Sequence, residues 1–203
     1  LKACVEKVQE LFDNPNSVSG LETHYTDFDE KTLGLQKGDL IIVAGRPSMG
    51  KTTFAMNIAE NVALKSKKNV AVFSLEMPAE QLMMRLLSSV GRINAQTLRS
   101  GNLKTEDWAN FNSAVNRLHN SGIFVDETAG LSPLELRSRA RRLKREHNID
   151  LIVIDYLQLM RGNTPTSNRT EEISEISRSL KALAKELEVP VIALSQLNRS
   201  LEQ

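Results

Sequence analysis

One stretch, Gly45-Arg46-Pro47-Ser48-Met49-Gly50-Lys51-Thr52, constrains this chain more than any other. It fits the pattern G-x-x-x-x-G-K-[ST] and sits where that pattern carries meaning, after the β-branched run at 40–44 and ahead of a helix predicted from Lys51. A backbone that must wrap closely around phosphate oxygens needs glycine, and the amides of the loop and of the helix start then point at the bound anion. Lys51 adds a point charge for the β- and γ-phosphates, and Thr52 offers a hydroxyl to Mg²⁺. Gly45, Arg46, Pro47, Ser48, Met49, Gly50, Lys51, Thr52 and Thr53 are therefore the candidate nucleotide-binding residues.

Around this loop, short apolar runs alternate with helical periodicity. Runs at 40–44, 70–73, 123–125, 151–154 and 189–194 read as strands, separated by helices from Lys51, over 79–90, over 105–118 opened by Thr105, from Pro133 and along the stripe Ile173, Ile176, Leu180, Leu183 and Leu187. Ser132-Pro133-Leu134-Glu135 fits a capping box with proline at the first helical position. This βαβ alternation predicts an α/β domain built on a mostly parallel sheet. With 203 residues, 40% of them hydrophobic, there is material for one such domain.

Ahead of it, Leu1, Cys4, Val5, Val8, Leu11 and Phe12 form the apolar stripe of a short amphipathic helix, and 14–21 is rich in Asn, Ser, Pro and Gly. We divide the chain into a linker helix and linker, 1–17, and a domain, 18–203. A helix so short is marginal by itself, so the stripe should dock on its own domain or on a neighbouring subunit.

A Mg²⁺ site asks for a carboxylate, and Asp155 follows the apolar run Leu151-Ile152-Val153-Ile154, where a buried strand would carry it to the phosphate edge. Asp155 takes the Walker B position, yet Tyr156 stands next to it, so a base for the attacking water must come from elsewhere. Glu76, at the end of Val72-Phe73-Ser74-Leu75-Glu76, is at the same edge and is equally consistent with a surface glutamate at a helix entry. Gln196, at the end of the last strand, could sense a γ-phosphate through a neutral amide or be an ordinary strand-end residue.

Lys and Arg total 26 against 25 Asp and Glu, so binding to nucleic acid would have to use local basic patches. The candidates are the ends of the polar segment 161–169, Arg161 and Arg169, and the helix carrying Arg137, Arg139, Arg141, Arg142, Lys144 and Arg145. The helix reads more simply as a solvated face or a subunit contact. The single cysteine, Cys4, allows no intrachain disulfide, and His24, His119 and His147 lack zinc-site spacing. Trp108 reads as packing. No membrane-length apolar run is present, and a soluble, cytoplasmic protein is expected. Leu1 at one end and the uncapped Leu201-Glu202-Gln203 at the other suggest a piece of a longer protein.

Four runs in order, GRPSMGKTTFAMN (45–57), FSLEM (73–77), IDYLQLM (154–160) and SQLNRSLEQ (195–203), resemble the ordered motifs of DnaB-type replicative DNA helicases. The resemblance implies a RecA-like P-loop domain that hydrolyses Mg-ATP to translocate 5′→3′ on single-stranded DNA and unwind duplex. It implies Lys51 and Thr52 on phosphate and Mg²⁺, Glu76 as catalytic glutamate, Asp155 as Walker B and Gln196 as γ-phosphate coupling residue. It also implies a homo-hexameric ring with ATP between subunits, the linker helix docked on the next subunit, 161–169 facing a central channel, and primase and a helicase loader as partners. In that family an arginine finger and a further DNA-contacting loop come after the SQLN segment, and a helical domain precedes the linker. Another RecA-fold ATPase, or an assembly module that uses nucleotide as a switch, are the competing readings.

Overall fold

The computed structural model of the protein describes residues 2–13, 18–162 and 169–197. Expectations placed on Leu1, 14–17, 163–168 and 198–203 fall outside the described residues.

Five strands, β1 (Leu40–Gly45), β2 (Val70–Ser74), β3 (Ile123–Asp126), β4 (Leu151–Asp155) and β5 (Val191–Gln196), form one sheet in the order β1-β5-β4-β2-β3. Every pairing is parallel. Parallel neighbours need crossovers, and here helices supply them, which covers both faces and makes the inner strands continuous apolar runs.

Period-two alternation sorts those runs between two cores. Val70, Val72, Leu151, Val153, Ile192 and Leu194 face one side, against Ala55, Ile58, Ala59 and Val62 of α3 (Lys51–Leu64) and Leu82 and Leu86 of α4 (Ala79–Gly91). Ala71, Phe73, Ile152, Ile154, Val191 and Ala193 face the other, against Leu136 and Ala140 of α7 (Pro133–His147) and Ile176, Leu180, Leu183 and Ala184 of α8 (Arg169–Leu187). Each fully buried Leu, Ile or Phe among them contributes about 1.5–3 kcal/mol, so the strand ends are held on a stiff platform.

The remaining helices are α1 (Lys2–Asp13), α2 (Thr26–Thr32), α5 (Ala95–Ser100) and α6 (Thr105–His119). The sequence reading omits α2, α5 and a single 3-10 turn at Leu157–Leu159, all too short for helical periodicity to register. In α1, Val5, Val8 and Phe12 are 55%, 61% and 83% exposed, leaving this part of the apolar stripe uncovered.

At three boundaries the difference from the sequence reading has a visible cause. The last strand starts at Val191, not Val189, because the Val189 N–H is still bonded to the Ala184 carbonyl at the end of α8 (3.1 Å) and Pro190 has no N–H to give. Helix α6 is capped from Lys104, whose N–H donates to Asp107 Oδ2 (3.0 Å), and Thr105 is its first helical residue. Strand β2 stops at Ser74, whose hydroxyl accepts the Met77 N–H (3.3 Å) and donates to the Met77 carbonyl (2.6 Å), so Glu76 stands on a bend beyond the strand. The Ser132 capping box forms as expected: Ser132 Oγ accepts from the Glu135 N–H, and Glu135 Oε2 accepts from the Ser132 N–H. Trp108 is half exposed and packs edge-on against Phe111, with ring centroids 5.7 Å apart.

Among the described residues, no helix is long and apolar enough to cross a membrane.

Candidate nucleotide site at the carboxyl edge of the sheet

Because all strands run one way, their carboxyl ends share one edge, and the candidate residues lie along it. The phosphate-binding loop leaves β1 at Gly45 and enters α3 at Lys51. Gly50, at φ +82°, makes the left-handed turn into the helix, while Ser48 takes φ +62° without glycine's freedom. No side chain caps the start of α3, so its first amides are available to an anion. Arg46, Pro47, Ser48, Met49 and Thr53 are exposed along the loop and the first turn of α3. A Cβ added at Gly45 would stand 3.4 Å from Cγ and Cδ of Lys51, the lysine stem lying across the loop. Lys51 Nζ donates to the Arg46 carbonyl (2.7 Å).

Thr52, in the first turn of α3, donates its hydroxyl to Asp155 Oδ2 (2.9 Å). Asp155 is 5% exposed at the tip of β4, in register with Ser74 of β2, and the Leu75 N–H donates to its main-chain carbonyl (2.7 Å). Burial pushes the Asp155 carboxyl above the usual range, the negative charge of Glu76 adds to that, and the Thr52 hydroxyl with Lys51 and Arg85 opposes it. The Tyr156 phenol is raised by burial and then by the charges of Glu76 and Asp155, so Glu76 acts electrostatically on both neighbours. The Asp155 carboxylate and the Thr52 hydroxyl are oxygen ligands of the kind a hard divalent cation takes, while the Lys51 ammonium suits the phosphates.

Strand β5 brings the last candidate to the loop itself. Gln196 is the register partner of Gly45, and the Leu197 N–H donates to the Gly45 carbonyl (3.2 Å). The edge thus gathers Lys51, Thr52, Asp155, Glu76 and Gln196 from four segments of the chain.

Two residues absent from the sequence reading belong to this neighbourhood. Arg85 of α4 places a positive charge in reach of Asp155, and only the tertiary fold brings it there. Gln158, in the 3-10 turn after β4, bonds to Ser195 and Gln196. An amide inside the otherwise apolar run Tyr156-Leu157-Gln158-Leu159-Met160 is the signal that could have pointed to it.

Of the two arginines proposed for DNA, Arg169 is bonded to the turn beside this edge, and Arg161 lies against Gly130. Arg161 is exposed beside Gly130, where an added Cβ would lie 3.2 Å from its Nε. Arg169, at the start of α8, pairs with Glu172 and donates to the Gln158 carbonyl. The basic helix α7 is largely paired within the chain. Arg137 and Arg141 hold Glu186 of α8, Arg139 binds Asp126 (2.7 Å) and Thr128, and Lys144 donates to the Ile149 carbonyl (2.7 Å).

Comparison with known proteins agrees with this fold. A family model described as the DnaB-like helicase C terminal domain matches residues 20–203. The replicative DNA helicase DnaB of Buchnera aphidicola (subsp. Acyrthosiphon pisum) is 56% identical over 206 residues, covering 100% of this chain and 45% of the relative. The replicative DNA helicase DnaC of Bacillus subtilis is 53% identical over 199 residues, covering 98% and 44%. The chain thus spans under half the length of these relatives. Among solved structures, one described as an ATPase domain superposes with a TM-score of 0.93 at 36% identity, covering 100% of this chain and 72% of that one. A DnaB-like replicative helicase described with its primase interactions gives 0.91 at 36% identity, covering 100% and 49%.

Proposed function

Because the chain belongs to the DnaB-like helicase C-terminal domain family, we propose that it is the ATP-hydrolysing motor of a hexameric replicative DNA helicase, working in the cytoplasm on single-stranded DNA at the fork. The observation that carries this is the gathering of Lys51, Thr52, Asp155, Glu76 and Gln196 at one sheet edge, with Gln196 in register with the first glycine of the loop.

Each residue has a task that its position suits. The loop amides and the uncapped start of α3 hold the phosphates, and Lys51 exchanges the Arg46 carbonyl for a phosphate oxygen. Thr52 and Asp155 would hold Mg²⁺, which when bound neutralises charge on the phosphates. Glu76, on its exposed bend, accepts the proton of the attacking water or orients it. Gln196 reports the γ-phosphate to β5. Arg161 and Arg169, at the two ends of the 161–169 segment, serve the DNA backbone.

The relatives are named replicative helicases, and one neighbour is described with primase. By that likeness a primase is a partner here; the motif resemblance adds a helicase loader, and the uncovered stripe Val5, Val8 and Phe12 docks on the next subunit of the ring. The direct test is unwinding of a forked duplex by the protein in its full natural length. ATP-dependent strand separation that is lost in Lys51→Ala supports the proposal, and unwinding by Lys51→Ala at the wild-type rate would remove this site from the motor.

A further inference from the structure

The carboxyl end of β5 is held by a side chain where a strand would ordinarily hold it. Strand β4 pairs with β5 at Ile152↔Val191, Val153↔Ile192 and Ile154↔Ala193, and the pairing ends there. On the opposite side, β1 stays paired with β5 through Gly45↔Gln196. The last residues of β5 would therefore present unpaired main-chain groups toward the β4 side.

Gln158 fills that gap. Its Oε1 accepts the Gln196 N–H (3.1 Å), and its Nε2 donates to the Gln196 carbonyl (3.0 Å) and to Ser195 Oγ (2.9 Å). One carboxamide thus supplies both a donor and an acceptor to one residue, as a neighbouring strand would. The amide is itself well placed, because Leu157 and Met160 on either side are buried at 2% and 1% exposure and anchor the turn in the core.

The same residue is also bonded from the other direction. Its main-chain carbonyl accepts the Arg169 guanidinium. Arg169 pairs with Glu172, and Glu172 Oε1 accepts the Gly162 N–H (2.7 Å). Arg169 is therefore bonded directly to the turn that carries Gln158, and Gly162 is linked to it through Glu172 and Arg169.

We propose that Gln158 is a positioning residue that sets the Gln196 end of β5 against the phosphate-binding loop and transmits to it the position of Arg169 and, through Glu172, of Gly162. This rests on the reading of Gln196 as γ-phosphate sensor and of 161–169 as the DNA-facing segment. Gln158 touches neither nucleotide nor DNA in this account. It acts through main-chain bonds to Gln196 and Arg169, and what it controls is how far DNA accelerates turnover.

The test uses the full-length protein and Gln158→Met, which keeps length and bulk and loses the amide. Three quantities are read: affinity for a fluorescent ATP analogue, kcat and KM with and without oligo-dT, and amide hydrogen exchange across 191–197. Nucleotide affinity, oligo-dT affinity and KM should stay within about twofold of wild type, while the DNA-stimulated rise in kcat falls by about tenfold, the scale of coupling carried by one linking residue. The Gln196 amide should lose protection while Ile192 to Leu194 keep theirs. Unchanged exchange at Gln196, or full stimulation in the variant, would overturn the proposal. If Gln158→Met lowers the melting temperature too far to assay, Gln158→Glu decides, since it keeps the acceptor and loses the donor: a partial loss of stimulation is expected, and none would overturn it. A wild-type protein that DNA does not stimulate would instead count against the helicase reading, and the exchange result would still decide whether Gln158 holds Gln196.

Discussion

Thr52 and Asp155, 103 positions apart in the chain, share a hydrogen bond of 2.9 Å that ties the first turn of α3 to the tip of β4. It joins the residue that closes the phosphate loop to the only carboxylate buried at this edge among the described residues. Both are groups that a cation would need, and here each satisfies the other.

The burial of Asp155 has a measurable cost. Its carboxyl is raised above the usual range, chiefly by desolvation, so the folded chain holds a proton there more tightly than the unfolded chain does. Stability from this group is fullest below its unfolded value and is lost as pH rises through the raised folded value. Asp155→Asn, which keeps an acceptor for Thr52 and removes the charge, should therefore raise the nucleotide-free melting temperature at neutral pH by on the order of 2–4 °C and abolish Mg²⁺-dependent hydrolysis. The stabilisation should vanish toward about pH 3, where the wild-type carboxyl is neutral. A variant that melts below wild type at neutral pH would refute this account of the site.

Single-stranded DNA affinity should fall with salt, and each phosphate contact contributes about 0.7 to the logarithmic slope. Replacing Arg161 and Arg169 together by alanine should lower that slope by about 1.4 and weaken all sequences equally. Arg169 already pairs with Glu172 and the Gln158 carbonyl, so its single replacement should also disturb coupling, whereas Arg161→Ala should affect affinity alone. A slope that does not move in the double variant would take this segment out of the DNA path.

Helix α1 offers Val5, Val8 and Phe12 to the surroundings, and a ring assembled through it should be sensitive to charge on that stripe. Val8→Asp with Phe12→Asp should shift the full-length protein from hexamer to smaller species by native mass spectrometry. The melting temperature of the chain itself should stay within about 1–2 °C, as expected for exposed sites. An intact hexamer in the double variant would place the subunit contact elsewhere.

Much of this architecture is legible in the sequence, for identifiable reasons. The loop at 45–52 and the apolar run ending in Asp155 carry steric and burial demands that few sequences meet, so their places follow from local pattern. Glu76 is harder to read: the Ser74 turn that ends β2 and puts it on a bend is a side-chain-to-main-chain exchange that periodicity does not encode. Gln158 is harder still, because its partners lie 37 and 38 residues away and its value depends on where β4 stops pairing. The pairing of Arg137 and Arg141 with Glu186 likewise needs α7 and α8 side by side.

On the function proposed, this edge hydrolyses ATP in response to DNA, with Glu76 as the base. The decisive measurement is steady-state ATP hydrolysis by the full-length protein, with and without single-stranded DNA and beside Glu76→Gln. DNA should strongly stimulate the wild type, and the variant should bind nucleotide within about twofold of wild type with turnover reduced by about 10²–10⁴. Turnover that ignores DNA, or a Glu76→Gln protein that hydrolyses at the wild-type rate, would contradict it.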